Sequence, residues 1–119
     1  MKAKVKEALE EILKELSSME LTEKVDTLNE IRTALHEVSP FSEEPCDCVL
    51  WVPQEHIFAN DYNPNYVASP EMQILYLSVK TDGYTMPIVT YDLKDGNREI
   101  VDGFHRNRIG REHGDIKKR

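Results

Sequence analysis

Asp102, Gly103, His105 and Arg106 fall together in the stretch IVDGFHRNRIGRE, residues 100–112, and their types suit phosphate chemistry. The apolar Ile100 and Val101 lead directly into Asp-Gly, and basic residues follow at helical spacing, so the stretch reads as strand, turn and helix. A helix start offers unpaired N–H groups and a partial positive charge, a ready site for an anion. Gly103 has no Cβ, so an anion can approach the backbone there. The guanidinium of Arg106 matches phosphate oxygens in a bidentate fork. His105 is a second donor and can move a proton near neutral pH. Asp102 can cap the helix, or hold a metal ion or a ribose hydroxyl. Phe104, Arg108 and Arg111 share a helical face at i, i+4 and i+7, so Arg108 can reach a polyphosphate.

Several elements must position that turn. MPIVTYDL and REIV read as two strands joined by KDGN, with Asp95-Gly96 as the hairpin turn. EMQILYLSVKTDG reads as a helix with Met72, Leu75 and Val79 on one face, Ser69 as its N-cap, Pro70 at its first position and Gly83 ending it. CVLWVP reads as a short strand ended by Pro53, and FANDYNPNYVASP as a polar loop. Trp51, Tyr76 and Tyr91 are expected in the core. Ahead of these lie two amphipathic helices. Val5, Leu9, Ile12, Leu16 and Met19 recur in the first, and Val25, Leu28, Ile31, Leu35 and Val38 in the second, with Thr22 as the second N-cap. The order α-α-β-loop-α-β-β-α predicts a small α+β domain over residues 46–119 with a helical extension, a hairpin, over residues 1–45. The stripes of the extension are expected on the chain's own core, or on a homodimer or partner surface.

The totals narrow the classes. A chain of 119 residues is one domain, or one with an appendage. The net charge of −7 is uneven: −5 over residues 1–45, −5 over residues 46–97 and +3 over residues 98–119. A basic tract on an acidic body suits a compact anion better than a long duplex, so DNA is not the favoured partner. No apolar run approaches the roughly 20 residues that span a bilayer, and MKAKVKEALEE lacks the apolar core of a signal peptide, so no membrane partner and a cytoplasmic location are expected. Cys46 and Cys48 are too few for a disulfide framework, and with His36 or His56 they lack the paired spacing of structural zinc. No metal ligand set is therefore assigned. A phosphotransferase would need a carboxylate to accept a proton, and Asp61 in NDYNPN is the best-placed candidate, with Glu71 second.

LSVKTDGYTMPIVTYDLKDGNREIVDGFHRNRIGRE, residues 77–112, resembles the ParB/sulfiredoxin superfamily: a helix ending in Gly, a Pro-Ile-Val strand, a hairpin, then a strand running into Gly-x-x-Arg. VPQEHIFANDYNPN is similar to that family's first box, and the likeness spans roughly residues 49–113. Phe104 stands where sulfiredoxins carry their reactive Cys, which argues against sulfinic-acid repair. His105 stands where chromosome-partition members have the first arginine of Gly-Glu-Arg-Arg, which argues against a CTP-binding DNA clamp. The Asp-Gly-x-His-Arg form looks most like the ATP-hydrolysing and serine-kinase branches and the small IbrB-like co-regulators of transcription. The resemblance implies that Gly103, His105 and Arg106 cradle the phosphates of ATP or another nucleoside triphosphate, with Asp102 helping to place Mg²⁺ or the motif loop; Phe104 and Arg108 are counted with them as binding residues. The kinase branch places a Glu in the first box, and this sequence offers no clear equivalent, so the catalytic candidates, His105 and Asp61, come from the residues themselves. The resemblance further implies a partner resembling phosphoadenosine-phosphosulfate reductases. Related domains add a closing strand where this sequence ends in GDIKKR, so either the chain is a fragment or the sheet is completed differently, for example by a partner. The alternatives are a serine-type small-molecule kinase and a scaffold that has kept only the shape.

Overall fold

The computed structural model describes residues 1–59 and 69–115. Its elements run α1 (Ala3–Ser18), α2 (Leu21–Glu37), two 3₁₀ turns (Pro45–Asp47 and Gln54–His56), β1 (Ile57–Phe58), α3 (Ser69–Asp82), β2 (Val89–Asp92), β3 (Arg98–Asp102) and α4 (Phe104–Glu112). Helices and a small mixed sheet make this an α+β protein. The chain divides into two compact units, Met1–Trp51 and Val52–Arg119. Among the described residues no helix is long and apolar enough to cross a membrane.

In the first unit α1 is built mainly of Ala, Leu, Glu and Lys, the strong helix formers. It stops where the Ser17 and Ser18 hydroxyls turn back to the Lys14 and Glu15 carbonyls at 2.7 and 2.8 Å, and Met19 becomes extended. Glu20, not Thr22, caps α2: its carboxylate accepts the Glu23 N–H at 3.1 Å and leaves Thr22 inside the first turn. Of the α1 stripe only Leu16 is buried, while Val5, Leu9, Ile12 and Leu13 remain 40–54 % exposed. Within this unit the stripe is left mostly uncovered. At the end of α2, His36 Nδ1 meets Asp47 Oδ2 at 2.7 Å, and that hydrogen bond holds the Asp47 carboxyl below its ordinary value.

The expected strand CVLWVP does not form. Pro45 opens one 3₁₀ turn and Pro53 precedes the next, so the run lies between two turns. The Trp51 backbone takes its partner from a helix side chain instead: its N–H donates to Asn29 Oδ1 at 3.1 Å, and its carbonyl accepts from Asn29 Nδ2 at 2.7 Å. Trp51 is 40 % exposed rather than a core residue.

The second unit holds the sheet, in the order β1-β3-β2. β3 is central, parallel to β1 through Ile57 opposite Arg98 and antiparallel to β2 through Thr90 opposite Ile100. Ile100 is the buried residue of β3, whereas Tyr91 on the edge strand β2 is exposed, which corrects its expected place in the core. The β2–β3 loop is longer than a two-residue Asp-Gly turn. It closes with Leu93 N–H on the Asn97 carbonyl at 3.1 Å, with Lys94 itself at φ 66°. Asp92 and Asp95 each accept a backbone N–H two residues on, from Lys94 and Asn97, both at 2.9 Å. These Asx turns hold the loop. Helices α3 and α4 pack through Met72, Val79 and Ile109, with Leu75, Tyr76 and Tyr84 against them. Gly110 makes that packing feasible, since a Cβ there would come within 2.5 Å of Gln54 Nε2 and closer still to the Tyr84 hydroxyl.

Candidate functional site

Asp102, Gly103, Phe104, His105 and Arg106 lie where β3 passes into α4. Asp102 ends β3, opposite Val89 and beside an irregularity in the β2 register, and its side chain is exposed. It does not cap α4. The N-cap is Gly103, in the left-handed region at φ 96° and ψ 23°, with no side-chain hydrogen bond to the cap and no acid in the first helical turn. A side chain at Gly103 would be strained by that φ, and its Cβ would fall 2.8 Å from Arg106 Nη2 and 3.2 Å from Ile88 Cγ1. The Gly-x-x-Arg spacing thus has a packing reason: the arginine one turn on folds back over the glycine.

Arg106 Nη2 donates to the Pro87 carbonyl at 3.1 Å, tying the start of α4 to the segment entering β2. Its Nε is buried and has no hydrogen-bond partner among the described residues. Phe104 and His105 are half-buried beside it, their rings edge to face with centroids 5.3 Å apart. The remaining two arginines do different work. Arg108 is exposed and pairs with Glu112 at 2.7 Å, one turn along α4. Arg111 donates to the carbonyls of Gln54, at 3.3 Å, and Ile57, locking α4 to the 3₁₀ turn and the start of β1. Phe104, Arg108 and Arg111 share a face in sequence but not a common target.

The described residues also form an open concavity of about 490 Å³ beside the C-terminal half of α4, lined by Met72, Tyr76, Leu77, Arg108, Glu112 and His113 among others. Of the phosphate-binding and catalytic candidates among the described residues, only Arg108 reaches it. The Tyr76 and His113 rings stack there at 3.8 Å, and the Tyr76 hydroxyl donates to Asp115, which also meets Lys80 Nζ at 3.1 Å. The Tyr76 hydrogen bond, with Lys80, holds the Asp115 carboxyl below its ordinary value. The carboxylate in turn pushes the Tyr76 phenol and the Lys80 ammonium up.

Asp61 lies outside the described residues. Glu71 sits in the first turn of α3. Among the described residues no group of three or more His, Cys, Asp or Glu could hold a metal ion. Sequence reasoning passed over Asn107, which is buried on α4. The available signal was its spacing: Gly103, Asn107 and Gly110 recur at i, i+4 and i+7, the compact face that α4 turns inward.

No family model matches the chain, and no solved structure matches it. The chain is 49% identical over 104 residues to the uncharacterized protein YbdM of Escherichia coli (strain K12), an alignment covering 87% of this chain and 50% of YbdM. The chain therefore spans about half the length of that curated relative.

Proposed function

We propose that this chain is a nucleotide-binding regulatory module of the ParB/sulfiredoxin type, holding the phosphates of ATP at the β3–α4 turn and hydrolysing them slowly. One observation carries the reading: α4 begins at a left-handed glycine, with no side-chain cap and no acid in its first turn, and a half-buried arginine folds over it whose Nε has no hydrogen-bond partner among the described residues. Main-chain N–H groups at such a turn and the Arg106 fork are donors of the kind that phosphate oxygens take. His105, Phe104 and Asp102 flank the same turn, and Arg108 would have to leave Glu112 to join them. Bound Mg²⁺ would neutralise phosphate charge, while the chain's own part is to orient the phosphates and to donate hydrogen bonds. A partner resembling phosphoadenosine-phosphosulfate reductases fits the same reading, with the module acting as a co-regulator of transcription.

The second reading, a scaffold that has kept the shape alone, is favoured by a specific observation. Each arginine of the motif already gives a hydrogen bond to an oxygen of the chain. Calorimetric titration with Mg²⁺-ATP decides between them. Wild type binds, and Arg106→Lys, which keeps the charge but loses the fork, binds at least about tenfold more weakly with an unchanged circular dichroism spectrum. Absence of heat and of thermal stabilisation with ATP, GTP and CTP rejects the nucleotide reading and leaves the scaffold. Transfer to a small-molecule hydroxyl would require Asp61, and an ATP-dependent phosphoserine product would establish it.

A further inference from the structure

The first helix is unfinished as an isolated element. Its 16 residues bury one side chain, Leu16, whereas a helix of this length owes most of its stability to the packing of an apolar face. Val5, Leu9, Ile12 and Leu13 continue the stripe away from Leu16 and stay exposed. The charges are equally one-sided. Lys2, Lys4 and Lys6 crowd the start, which has no acid in its first turn and no side-chain cap. Glu7, Glu10, Glu11 and Glu15 follow against Lys14 alone, and the last turn has no base. Both ends therefore oppose the helix dipole, which prefers acids at the start and bases at the end.

A second α1 laid antiparallel on the same stripe answers each deficiency. Its Glu15 comes beside Lys4 and Lys6 of the first copy, and its Lys4 and Lys6 beside Glu15 of the first. A parallel arrangement would set lysines against lysines and glutamates against glutamates. We infer that α1 is the seam of a homodimer, two copies packing antiparallel through Val5, Leu9, Ile12 and Leu13 with opposite charges along the flanks. The occupant is a second copy because the complement of this helix's charge order is the same helix reversed. The seam is independent of nucleotide binding at the β3–α4 turn.

Sedimentation or light scattering on the full chain at tens of micromolar tests it. Wild type is a dimer whose affinity falls as salt rises. Leu9→Glu with Leu13→Glu gives a monomer. Charge reversal supplies the sharper test. A variant with Lys2→Glu, Lys4→Glu and Lys6→Glu, and another with Glu10→Lys, Glu11→Lys and Glu15→Lys, are each monomeric, while an equimolar mixture restores the dimer. Each reversal improves the fit of α1 to its own dipole, so loss of the dimer cannot be laid to melting of the helix, and helicity is checked by circular dichroism. A monomeric wild type, a dimer that survives the Leu9 and Leu13 changes, or a mixture that stays monomeric overturns the inference.

Discussion

Asn29 and Trp51 exchange two hydrogen bonds, the carboxamide oxygen accepting the Trp51 N–H at 3.1 Å and its nitrogen donating to the Trp51 carbonyl at 2.7 Å. A single side chain thereby does for Trp51 what a neighbouring strand does for a residue in a ladder. Asn29→Ala removes both bonds. Asn29→Asp keeps the acceptor and sets a carboxylate against the carbonyl. Each is expected to cost about 1–2 kcal/mol in urea unfolding, to shift the emission of the single tryptophan to the red and to speed exchange of its amide. Unchanged emission in both variants would show that the pair does not hold Trp51.

The arginines of the β3–α4 stretch should separate cleanly by stability. Arg111→Ala leaves the Gln54 and Ile57 carbonyls without their charged donor and should cost about 2 kcal/mol. Arg108→Ala breaks an exposed pair one turn apart on a helix and should cost no more than about 0.5 kcal/mol. Urea midpoints of the two variants give the comparison, and equal losses would mean that Arg111 is not the tie between α4 and β1.

Much of this was legible in the sequence where periodicity is strong. α1, α2, α3 and the β2–β3 hairpin follow from apolar spacing and from Gly83 and Gly96, and the strand–turn–helix of the β3–α4 stretch follows from Ile100, Val101 and Asp-Gly. What misled was local chemistry satisfied from a distance. Val49 to Val52 have strand composition, but the partner of Trp51 is a side chain 22 residues away, and the strand that does form is the two-residue Ile57–Phe58, too short for any alternation to register. Thr22 is a good cap by type, yet Glu20 stands where the chain turns. The arginines are the plainest case. Arg106, Arg108 and Arg111 are one residue type at helical spacing, and only the positions of Pro87, Glu112 and Gln54 tell them apart.

Two glycines near the chain's end offer a matched test of packing. Gly110→Ala drives a methyl into Gln54 and the Tyr84 hydroxyl, whereas a Cβ at Gly114 would meet nothing within 4 Å. Gly110→Ala should lower stability by about 1–3 kcal/mol through overpacking, and Gly114→Ala should leave it within about 0.5 kcal/mol of wild type. Thermal unfolding of the pair measures the contrast. A tolerated alanine at Gly110 would mean that Tyr84 and Gln54 are not seated against α4.

The Tyr76–Asp115–Lys80 cluster predicts stability lost at both ends of the pH scale. The Asp115 carboxyl is lowered by the hydrogen bond from Tyr76 and then by Lys80, so its contribution is complete above the ordinary value of 3.8 and disappears as pH falls through the lower folded value. Tyr76 and Lys80 are both raised, chiefly by their hydrogen bonds to Asp115, so their contributions are complete below the ordinary values of 10.0 and 10.5 and disappear as pH climbs through the higher folded ones. Asp115→Asn should therefore flatten both limbs of the profile and leave its neutral middle lower. The His113 amide, bonded to the Ile109 carbonyl at 3.1 Å and carrying the ring stacked on Tyr76, is the local reporter. In wild type its protection against exchange, corrected for the intrinsic pH dependence, should fall at acid and alkaline pH. Asp47 and Asp92 are also lowered, by His36 and by the Lys94 amide, and add to any global acid limb. The difference between wild type and Asp115→Asn removes them from the comparison, and identical profiles for the two proteins would mean that the cluster contributes nothing to the hold of α3 on α4.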